Sequence, residues 1–593
     1  MLNKLWRRAV CILLILLLVF TVGCSSKNSG DGGENIPTQS NNSETESTDT
    51  ATVSKVEREG FLFQNAYLYD QGSDSSFKFG VIGNTNLFEP GEDITYYFTV
   101  SGNGLEGKTV IIEFYNNELG IKEEKKHTLA FNGDNKLQIS DSFSASKNGI
   151  YTLLLTVADT EITTYFRVGV VPKVKTAGNH YLFGVQPYIS NTYTGSGKNV
   201  GYQSAADSRD SIFATIQWLG CNLVREDGIG WGYLQTAPEK DVNFKLMDDA
   251  IALSNKYGLN FMWIIGGTAE WAKKEEYKTS DGGNWQLPPQ QKYWDSYIKA
   301  LAENYKNNKM LIYEIWNEAD WEFFLGTEEE YAGLLKSAAS IIKEVNPNAV
   351  VIPSALVSNW ETTQNPQTFA KDSNKYYSLY KELYDAGKIN GINVHDHTHF
   401  TLSQFFQGTL VRREERLKKA GFTQIPELYV TEAGIWSTDE QEQAQLLMNK
   451  ILWYRANNSK TYVAYDFRDM SEDGSEWTMF THTLEPKRSA IAYATLIDKL
   501  GNAEFAEAIA SNTGAVFADI YYDSQKSVVP LYGRADDAES FTINSSVEYK
   551  VYDMYGNEVE KDSANTYVAS KNPKYFVFEG KVSAKDFSFK ALM

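Results

Sequence analysis

The sequence predicts an α/β protein in which a (β/α)8 TIM barrel is flanked by an N-terminal immunoglobulin-like β-sandwich and a small C-terminal β-sandwich. Three observations support this fold class. The chain has 593 residues, of which 42% are hydrophobic, so it can bury several cores but is too long for one. Short apolar runs alternate with longer helical patterns through the middle of the chain, which is typical of parallel βα units. Residues of alternating polarity before and after this region are typical of antiparallel sheets.

The N-terminal segment has the pattern of a secretion signal. Three basic residues precede an apolar run at 9–20, and Gly23-Cys24 follows it. The run is shorter than the about 20 residues that a membrane-spanning helix needs, and it fits the core of a signal peptide. The Gly-Cys junction resembles that of a bacterial lipoprotein, which predicts residues 1–23 as the signal peptide and Cys24 as the lipidated residue. An uncleaved anchor helix is the alternative. The basic residues are Lys4, Arg7 and Arg8.

Residues 24–52 consist almost wholly of Ser, Thr, Asn, Gly, Asp and Glu. Such a segment cannot bury enough apolar surface to fold, so the sequence predicts a disordered linker. Together with the lipid anchor, the linker predicts folded domains at the extracellular face of the cell membrane, attached through the anchor only. The formal net charge of −20 repels nucleic acid, which is therefore not expected as a partner. Cys221 is the only cysteine beyond the N-terminal segment, so no internal disulfide is expected.

Residues 53–175 have the pattern of a β-sandwich. Apolar and polar residues alternate along several short runs, and turn signals such as Glu89-Pro90-Gly91 separate the runs. This pattern predicts an immunoglobulin-like sandwich. We expect it to be a structural spacer, and a sugar-binding module is the alternative. The alternating apolar positions include Ile94, Tyr96, Phe98, Val100, Val110, Ile112 and Phe114.

Residues 176–500 have the pattern of eight βα units. Each short apolar run is followed by a longer stretch with helical periodicity, and the repeat averages about 40 residues. A complete set of eight repeats favours a TIM barrel over an open, doubly wound sheet. The strands are predicted at 182–186, 222–225, 260–265, 310–316, 349–353, 391–395, 427–431 and 461–466.

Residues 501–593 return to the alternating pattern of antiparallel strands. A turn signal at Tyr555-Gly556-Asn557 lies within this region. The pattern predicts a second, smaller β-sandwich at the end of the chain. Its alternating positions include Val516, Ala518, Ile520, Tyr522, Val547, Tyr549 and Val551.

Two predicted strand ends of the barrel carry a glutamate, Glu318 after the fourth strand and Glu432 after the seventh. In such barrels the functional residues lie at the C-terminal ends of the strands. Hydrolysis of a glycosidic bond needs a protonated carboxyl that donates to the leaving oxygen and a carboxylate that attacks or activates water. A separation of about 5 to 5.5 Å gives retention of configuration, and about 6.5 to 9.5 Å gives inversion. Glu314 ranks below Glu318, because it lies within the strand and is expected to be a buried structural carboxylate.

The motifs around the two glutamates resemble those of the clan A glycoside hydrolases. Trp316-Asn317-Glu318 stands at the end of strand four, and Thr431-Glu432-Ala433-Gly434 stands at the end of strand seven. The resemblance covers the predicted barrel. Three further segments resemble glycoside hydrolase family 39 within that clan: Arg225-Glu226-Asp227 with Trp231, Ala269-Glu270-Trp271-Ala272, and Tyr465-Asp466-Phe467-Arg468-Asp469.

This resemblance implies a role for each matching residue. Glu318 is expected to be the general acid/base, Glu432 the nucleophile and Asn317 the partner of the sugar 2-hydroxyl, with retention as the outcome. The clan places an arginine near the nucleophile at the end of strand two, where Arg225 stands, and its charge would lower the pKa of Glu432. A purely structural ion pair is the alternative for Arg225. Glu318 needs a raised pKa, from burial and from the charge of Glu432, to hold its proton.

The run His-Asp-His-Thr-His at 395–399 follows strand six. We predict that His395 or His397 is a hydrogen-bonding group near Glu432. The family often has a tyrosine two residues after the strand-six histidine, and His397 stands there instead. A metal-dependent hydrolase built on His395 and His397 is the alternative, but few other histidines are present and we predict no metal and no cofactor. The other histidines outside this run are His127, His180 and His482.

Aromatic and acidic side chains near the strand ends are candidates for sugar binding. Aromatic rings stack well on the C–H faces of pyranoses, and a place in the core is the alternative for each ring. Asp466 is predicted either to contact substrate hydroxyls or to pair with Arg468. The candidate rings are Trp231, Trp271, Trp316 and Phe467.

The sequence thus predicts a retaining glycoside hydrolase that cleaves an extracellular poly- or oligosaccharide by a two-glutamate double displacement. Its expected partner is the carbohydrate substrate. The competing prediction is a carbohydrate-binding lipoprotein without catalysis, because a barrel fold does not guarantee activity.

Overall fold

A computed structural model gives the fold of most of the chain. The predicted signal peptide and linker, Cys24 and His399 lie outside the described residues. No helix in the described part is both long enough and apolar enough to cross a membrane. The described residues are 62–63, 76–101, 104–131, 136–172, 178, 180–193, 199–200, 204–227, 229–277, 285–357, 373–397, 413–470, 475–510, 516–533, 539–560 and 565–591.

The N-terminal strands form a β-sandwich of two sheets. The strands are β1 Leu62–Phe63, β2 Ser76–Ile82, β3 Leu87–Phe88, β4 Asp93–Ser101, β5 Thr109–Asn116, β6 Ile121–Thr128, β7 Lys136–Ser144, β8 Gly149–Val157 and β9 Thr163–Val170. One sheet has the order β1-β2-β4-β7 and the other has the order β3-β9-β8-β5-β6. Alternate residues of β8 are buried, which is the pattern of a strand with one face on a core. Phe114 of one sheet stacks on Phe143 of the other with 5.0 Å between ring centroids, so the two sheets share that core.

Eight parallel strands form the barrel, which confirms the predicted fold. The strands are β10 Leu182–Val185, β11 Leu223–Glu226, β12 Asn260–Ile265, β13 Leu311–Ile315, β14 Val350–Pro353, β15 Ile392–Asp396, β16 Leu428–Gly434 and β17 Ser459–Tyr465. Hydrogen bonds join neighbours in the order β14-β13-β12-β11-β10-β17-β16-β15, and β14 and β15 are in contact at the seam. Most strand residues are buried because helices cover the outside of the barrel, so the strands read as continuous apolar runs.

Helices alternate with the strands of the barrel. They are α1 Ser190–Tyr193, α2 Ala205–Trp218, α3 Trp231–Leu234, α4 Lys245–Lys256, α5 Gln291–Tyr305, α6 Glu328–Val345, α7 Ser373–Asp385, α8 Glu440–Ala456 and α9 Arg488–Leu500. A capping box begins α6, in which Thr327 Oγ1 accepts from Glu330 N at 3.2 Å and Glu330 Oε2 accepts from Thr327 N at 2.7 Å. The apolar side of α6 faces α5, where Trp294 Nε1 donates to Leu334 O at 3.0 Å.

The C-terminal strands form two antiparallel sheets. The strands are β18 Glu504–Ala510, β19 Val516–Tyr522, β20 Lys526–Gly533, β21 Glu539–Ser545, β22 Tyr549–Tyr552, β23 Thr566–Ala569, β24 Lys574–Glu579 and β25 Phe587–Ala591. The sheet orders are β18-β19-β20-β24-β22 and β23-β21-β25. Side chains from both sheets, such as Val529 and Phe541, are fully buried in one cluster, as expected for a sandwich.

The three folded parts pack on one another. Arg455 of α8 donates to Leu500 O at 2.7 Å and lies 5.0 Å from the ring of Tyr521, which joins the barrel to the C-terminal sheets. Asn148 N donates to Asn557 Oδ1 at 2.9 Å, which joins the N-terminal sandwich to the C-terminal one.

Candidate active site

The barrel brings six of the predicted site residues together at the C-terminal ends of its strands. Two irregularities in strand pairing lie next to them, between Val394 and His395 on β15 and between Val430 and Ala433 on β16. The chain also turns sharply after β13, where Trp316 has a φ of +70°. The six residues are Arg225 on β11, Asn317 and Glu318 after β13, His395 and His397 at the end of β15, and Glu432 on β16.

Arg225 is the centre of the hydrogen-bond network. Its side chain is fully buried and binds Glu314 through two bonds, Nε to Oε2 at 2.8 Å and Nη2 to Oε1 at 3.0 Å. Its Nη1 donates to Glu432 Oε2 at 2.7 Å and to Gln186 Oε1 at 2.5 Å, and its Nη2 donates to Asn317 Oδ1 at 2.9 Å. Glu314 is fully buried and paired, which confirms the prediction that it is a structural carboxylate.

The surroundings of Glu432 favour its ionised form. Besides the bond from Arg225, Glu432 Oε1 lies 3.1 Å from His397 Nε2. Burial alone would raise the pKa of Glu432. The positive charge of a protonated His395, the hydrogen bond from His397 and the charge of Arg225 outweigh burial and lower this pKa below its usual range. The permanent charge of Arg225 acts at every pH of interest. Glu432 is therefore the carboxylate that lacks a proton.

The surroundings of Glu318 favour its protonated form. It is 5% exposed, and burial raises its pKa well above the usual range. The negative charges of Glu432 and Asp320 raise that pKa further, against a smaller opposing effect of Arg225. Glu318 therefore keeps its proton at a pH at which Glu432 has lost its own, which is the division that an acid and a nucleophile require.

His395 bonds to Glu318 rather than to Glu432. Burial lowers the pKa of His395 to about 3, so the imidazole is neutral near pH 7. Thr431 donates its hydroxyl proton to Asn393 Oδ1 at 2.6 Å, so Thr431 Oγ1 accepts from His395 Nε2 at 3.1 Å. His395 Nδ1 then carries the lone pair and accepts the proton of Glu318 Oε1, 2.9 Å away. This tautomer, assigned from the network, fits a protonated Glu318.

His397 is the histidine that contacts Glu432, at the position where the family often has a tyrosine. Its ring packs edge-on against Tyr465 and Trp477, with 4.9 Å and 5.2 Å between centroids. Since the ionised Glu432 can only accept, His397 Nε2 is the donor of their hydrogen bond. An imidazole N–H is thus a hydrogen-bond partner of this carboxylate.

Glu318, His395 and Glu432 are also the described residues that could together hold a metal ion. One oxygen of each glutamate and one nitrogen of His395 lie within 4.8 Å of one another. The guanidinium of Arg225 already lies 2.7 Å from Glu432, and a second cation beside it would be repelled. His397, the other histidine of the alternative metal site, is engaged with Glu432. The arrangement favours chemistry by the carboxyl groups themselves.

The structure corrects the sugar-stacking prediction for three of the four candidate rings. Trp231, Trp316 and Phe467 are at most 1% exposed, so no ring face is open to a sugar. They pack in the core, which was the alternative for each. Trp271 is half-buried and packs edge-on against Trp231 with 5.4 Å between centroids.

Two further acids lie near Glu432. Burial raises the pKa of Asp227 to about 6, and the charge of Glu432 acts in the same direction against that of Arg225. Burial and the charge of Glu432 raise the pKa of Asp466 well above its usual range, although the nearby charge of Arg468 lowers it. Asp466 Oδ1 also accepts from the backbone N of Phe467 at 2.5 Å. Both acids can accept hydrogen bonds from hydroxyl groups in the site.

Sequence analysis missed two residues that orient this network. Gln186, which accepts from Arg225, directly follows β10, so the strand-end argument was sufficient to find it. Asn393 lies inside β15 and donates to Glu314 Oε1 at 2.8 Å. No pattern in the sequence indicates whether the side chain of Asn393 points into the barrel or outwards to the helices.

A buried ionic cluster lies behind the two strands that carry His395 and Glu432. Lys450 of α8 donates to Asp396 O at 3.0 Å and to Gly434 O at 3.1 Å, which ties the end of β15 to the end of β16. The carboxylate of Asp396 accepts from Tyr454 at 2.5 Å. The cluster therefore fixes the separation of the strand ends on which the site depends.

Comparisons with known proteins find one matching family model and several similar solved structures. The family model described as cellulase (glycosyl hydrolase family 5) matches residues 187–471, which hold all six clustered residues. A family 39 glycoside hydrolase from the gut symbiont Bacteroides cellulosilyticus WH2 has 17% sequence identity and a TM-score of 0.62, covering 84% of this chain and 99% of that chain. A family 30 subfamily 8 xylanase from Clostridium acetobutylicum has 14% identity and a TM-score of 0.45, covering 68% of this chain and 98% of that chain. No curated protein sequence matches the chain significantly.

The structural likeness to the family 39 enzyme shows that the two chains share a fold over most of their length. The family 5 model adds a match in sequence across the region that holds both glutamates. The protein is a glycosidase, and its barrel resembles those of the clan A glycoside hydrolases.

Proposed function

We propose that the protein is a retaining glycosidase of the family 39 type, which cleaves an extracellular poly- or oligosaccharide. Glu432 is the nucleophile and Glu318 the general acid/base. One observation carries the proposal: two carboxyl groups whose oxygens come within 4.8 Å of each other have their pKa values shifted in opposite directions. Retaining enzymes hold the two carboxyl groups about 5 to 5.5 Å apart, and oxygens that come within 4.8 Å of each other are compatible with that arrangement.

In the first step Glu318 donates its proton to the glycosidic oxygen while Glu432 attacks the anomeric carbon. The bond from that carbon to the leaving oxygen breaks, and an ester between the sugar and Glu432 forms. In the second step the ionised Glu318 takes a proton from water, which attacks the anomeric carbon and releases Glu432. Arg225 and His397 stabilise the carboxylate of Glu432 before attack and after release.

Asn317 is the proposed partner of the sugar 2-hydroxyl. Its Oδ1 accepts from Arg225 Nη2 at 2.9 Å, which fixes the orientation of the amide. Its Nδ2 is then the atom that donates to the 2-hydroxyl, a contact that strengthens in the transition state of such enzymes.

The stereochemistry of the product tests the proposed mechanism. We expect the first-formed product to have the same anomeric configuration as the substrate, as followed by proton NMR in the first minutes of hydrolysis. The reason is that two displacements at one carbon restore its configuration. A first-formed product of opposite configuration would contradict the assignment of Glu432 as nucleophile.

We also propose that the enzyme is exported and anchored by a lipid on Cys24. The basic residues, the short apolar run and the Gly-Cys junction of the first 24 residues support this location. Replacing Cys24 by Ser is expected to move the protein from the membrane fraction to the medium or to the soluble fraction, as seen by immunoblot of fractionated cells. A Cys24→Ser protein that stays in the membrane fraction would support the uncleaved helix instead.

A further inference from the structure

We propose that three aromatic side chains beside Glu318 bind the leaving-group sugar, so that the enzyme favours substrates in which another sugar follows the cleaved bond. The three are Trp285, Trp321 and Phe323, and they are named here the aromatic platform. This inference rests on the proposed function, because it takes Glu318 as the general acid.

The aromatic platform is tied to Glu318 through the backbone. Trp321 N donates to Glu318 O at 2.9 Å, so the two residues are the ends of one tight turn, which lie within about 7 Å of each other. The ring of Phe323 meets that of Trp321 edge-on with 5.5 Å between centroids. The ring of Trp285 lies nearly parallel to that of Phe323, at 5.7 Å and 26°. The rings therefore continue from the catalytic acid as one connected cluster.

Hydrogen bonds hold the loops that carry the aromatic platform. The buried indole of Trp316 donates to Phe323 O at 2.8 Å, which anchors the loop after β13 to the core. Leu325 N donates to Gln286 O at 2.9 Å and joins this loop to the loop after β12. The backbone of Trp285 belongs to that second loop and accepts from Thr268 N at 2.7 Å. The position of the rings relative to Glu318 is therefore fixed before substrate binds.

The exposure of each side chain distinguishes the rings of the core from those of the aromatic platform. Trp316 and Phe324 are 1% and 0% exposed and pack inside. The three platform rings are each only half-buried, and the neighbouring Leu325 is 47% exposed. A cluster of large, partly exposed apolar side chains on a rigid loop beside an active site is typical of a binding surface.

The reaction at the two glutamates indicates which part of the substrate binds to the aromatic platform. Glu432 attacks the anomeric carbon from the side opposite the leaving oxygen, and Glu318 protonates that oxygen. Rings fixed to the loop of Glu318 therefore lie on the side of the leaving group. The C–H face of a pyranose is the part of such a leaving group that stacks on an aromatic ring. The favoured substrate is thus a chain in which a sugar, and not a small alcohol, follows the cleaved bond.

Two substrates that contain the same sugar distinguish a loss of leaving-group binding from a loss of the chemical step. One is the best hexasaccharide found for the wild type among cello-, xylo-, manno- and galacto-oligosaccharides, and the other is the glycosyl fluoride of the same sugar. Fluoride is too small to reach the rings. We expect Trp321→Ala and Trp285→Ala each to lower kcat/KM for the hexasaccharide by about 10-fold or more and to change the value for the fluoride by less than about twofold. Trp321→Phe is expected to retain most of the activity on the hexasaccharide.

Tyr165→Ala removes an exposed ring on the N-terminal sandwich and is the matched control, with no expected effect on either substrate. An equal loss on both substrates in Trp321→Ala would show a structural role and overturn the proposal, as would an unchanged kcat/KM for the hexasaccharide. A wild type that cleaves the fluoride but no hexasaccharide would overturn the proposal and leave the two-glutamate mechanism intact. A wild type that cleaves neither would contradict the proposed function itself.

Discussion

Replacing Glu432 by Gln is expected to lower kcat by about 10⁴-fold or more, equivalent to about 5 kcal/mol of transition-state stabilisation. An amide cannot attack the anomeric carbon, and no other described carboxylate occupies the same position between Arg225 and His397. The fold should survive, because Glu314 still neutralises the buried guanidinium. Initial rates on the best substrate, together with thermal unfolding of both proteins, measure the two effects separately.

Glu427 offers a matched control for this substitution. It lies just before β16 and forms a partly exposed ion pair with Lys460 at 3.2 Å, at the other end of the barrel from the site. Glu427→Gln should leave kcat within about twofold of the wild type, since exposed pairs contribute little. A Glu432→Gln enzyme that keeps more than a tenth of the wild-type kcat would rule out Glu432 as the nucleophile.

Replacing Glu318 by Gln is expected to lower kcat/KM by about 10³-fold on natural glycosides, and far less on substrates whose leaving group departs without a proton. Burial and neighbouring charge raise the pKa of Glu318, so the wild-type kcat/KM should fall as the pH rises through that pKa and the acid is lost. On the acid side, activity falls as Glu432 is protonated, and its lowered pKa moves this limb to more acidic pH than an ordinary glutamate would give.

The pH profile of Glu318→Gln should therefore lose the high-pH limb and keep the low-pH limb. Glu322→Gln is the control, because Glu322 is exposed in the same loop and should leave both limbs unchanged. A high-pH limb that persists in Glu318→Gln would assign that titration to another group.

The barrel could be predicted from sequence because its strands are buried on both faces. Such strands read as unbroken apolar runs, and β12 has the bounds that the sequence indicated. The seventh strand was predicted to end at 431, but β16 continues to Gly434 through an irregular pairing. The bulge that causes this difference depends on the neighbouring strand, which no local pattern reports.

The central site residues could be predicted because a barrel presents its functional groups at a known edge. Glu318, Glu432 and Arg225 each follow from a strand end and a residue type, and the structure brings them together. Aromatic rings could not be assigned in this way. Trp316 and Trp321 stand five positions apart on one loop, yet only the first is buried. Their difference arises from how the loop folds over the core.

The hydrogen-bond partners of individual side chains could not be predicted from the sequence either. His395 or His397 was expected as a hydrogen-bonding group near Glu432. His397 makes that bond at 3.1 Å, and His395 bonds to Glu318. Lys450 lies in the middle of a helix, where a lysine is expected at the surface. Only the folded barrel shows that this lysine reaches the backbone at Asp396 and Gly434.

Covalent labelling tests the division of roles between the two glutamates most directly. The reagent is a glycoside of the preferred sugar with fluorine at carbon 2 and a good leaving group, which slows release of the sugar from the enzyme. We predict that mass spectrometry of the digested enzyme finds one sugar, carried by the peptide that contains Glu432 and bound to that residue. A label on Glu318 or Glu314, or turnover without any covalent species, would contradict the account.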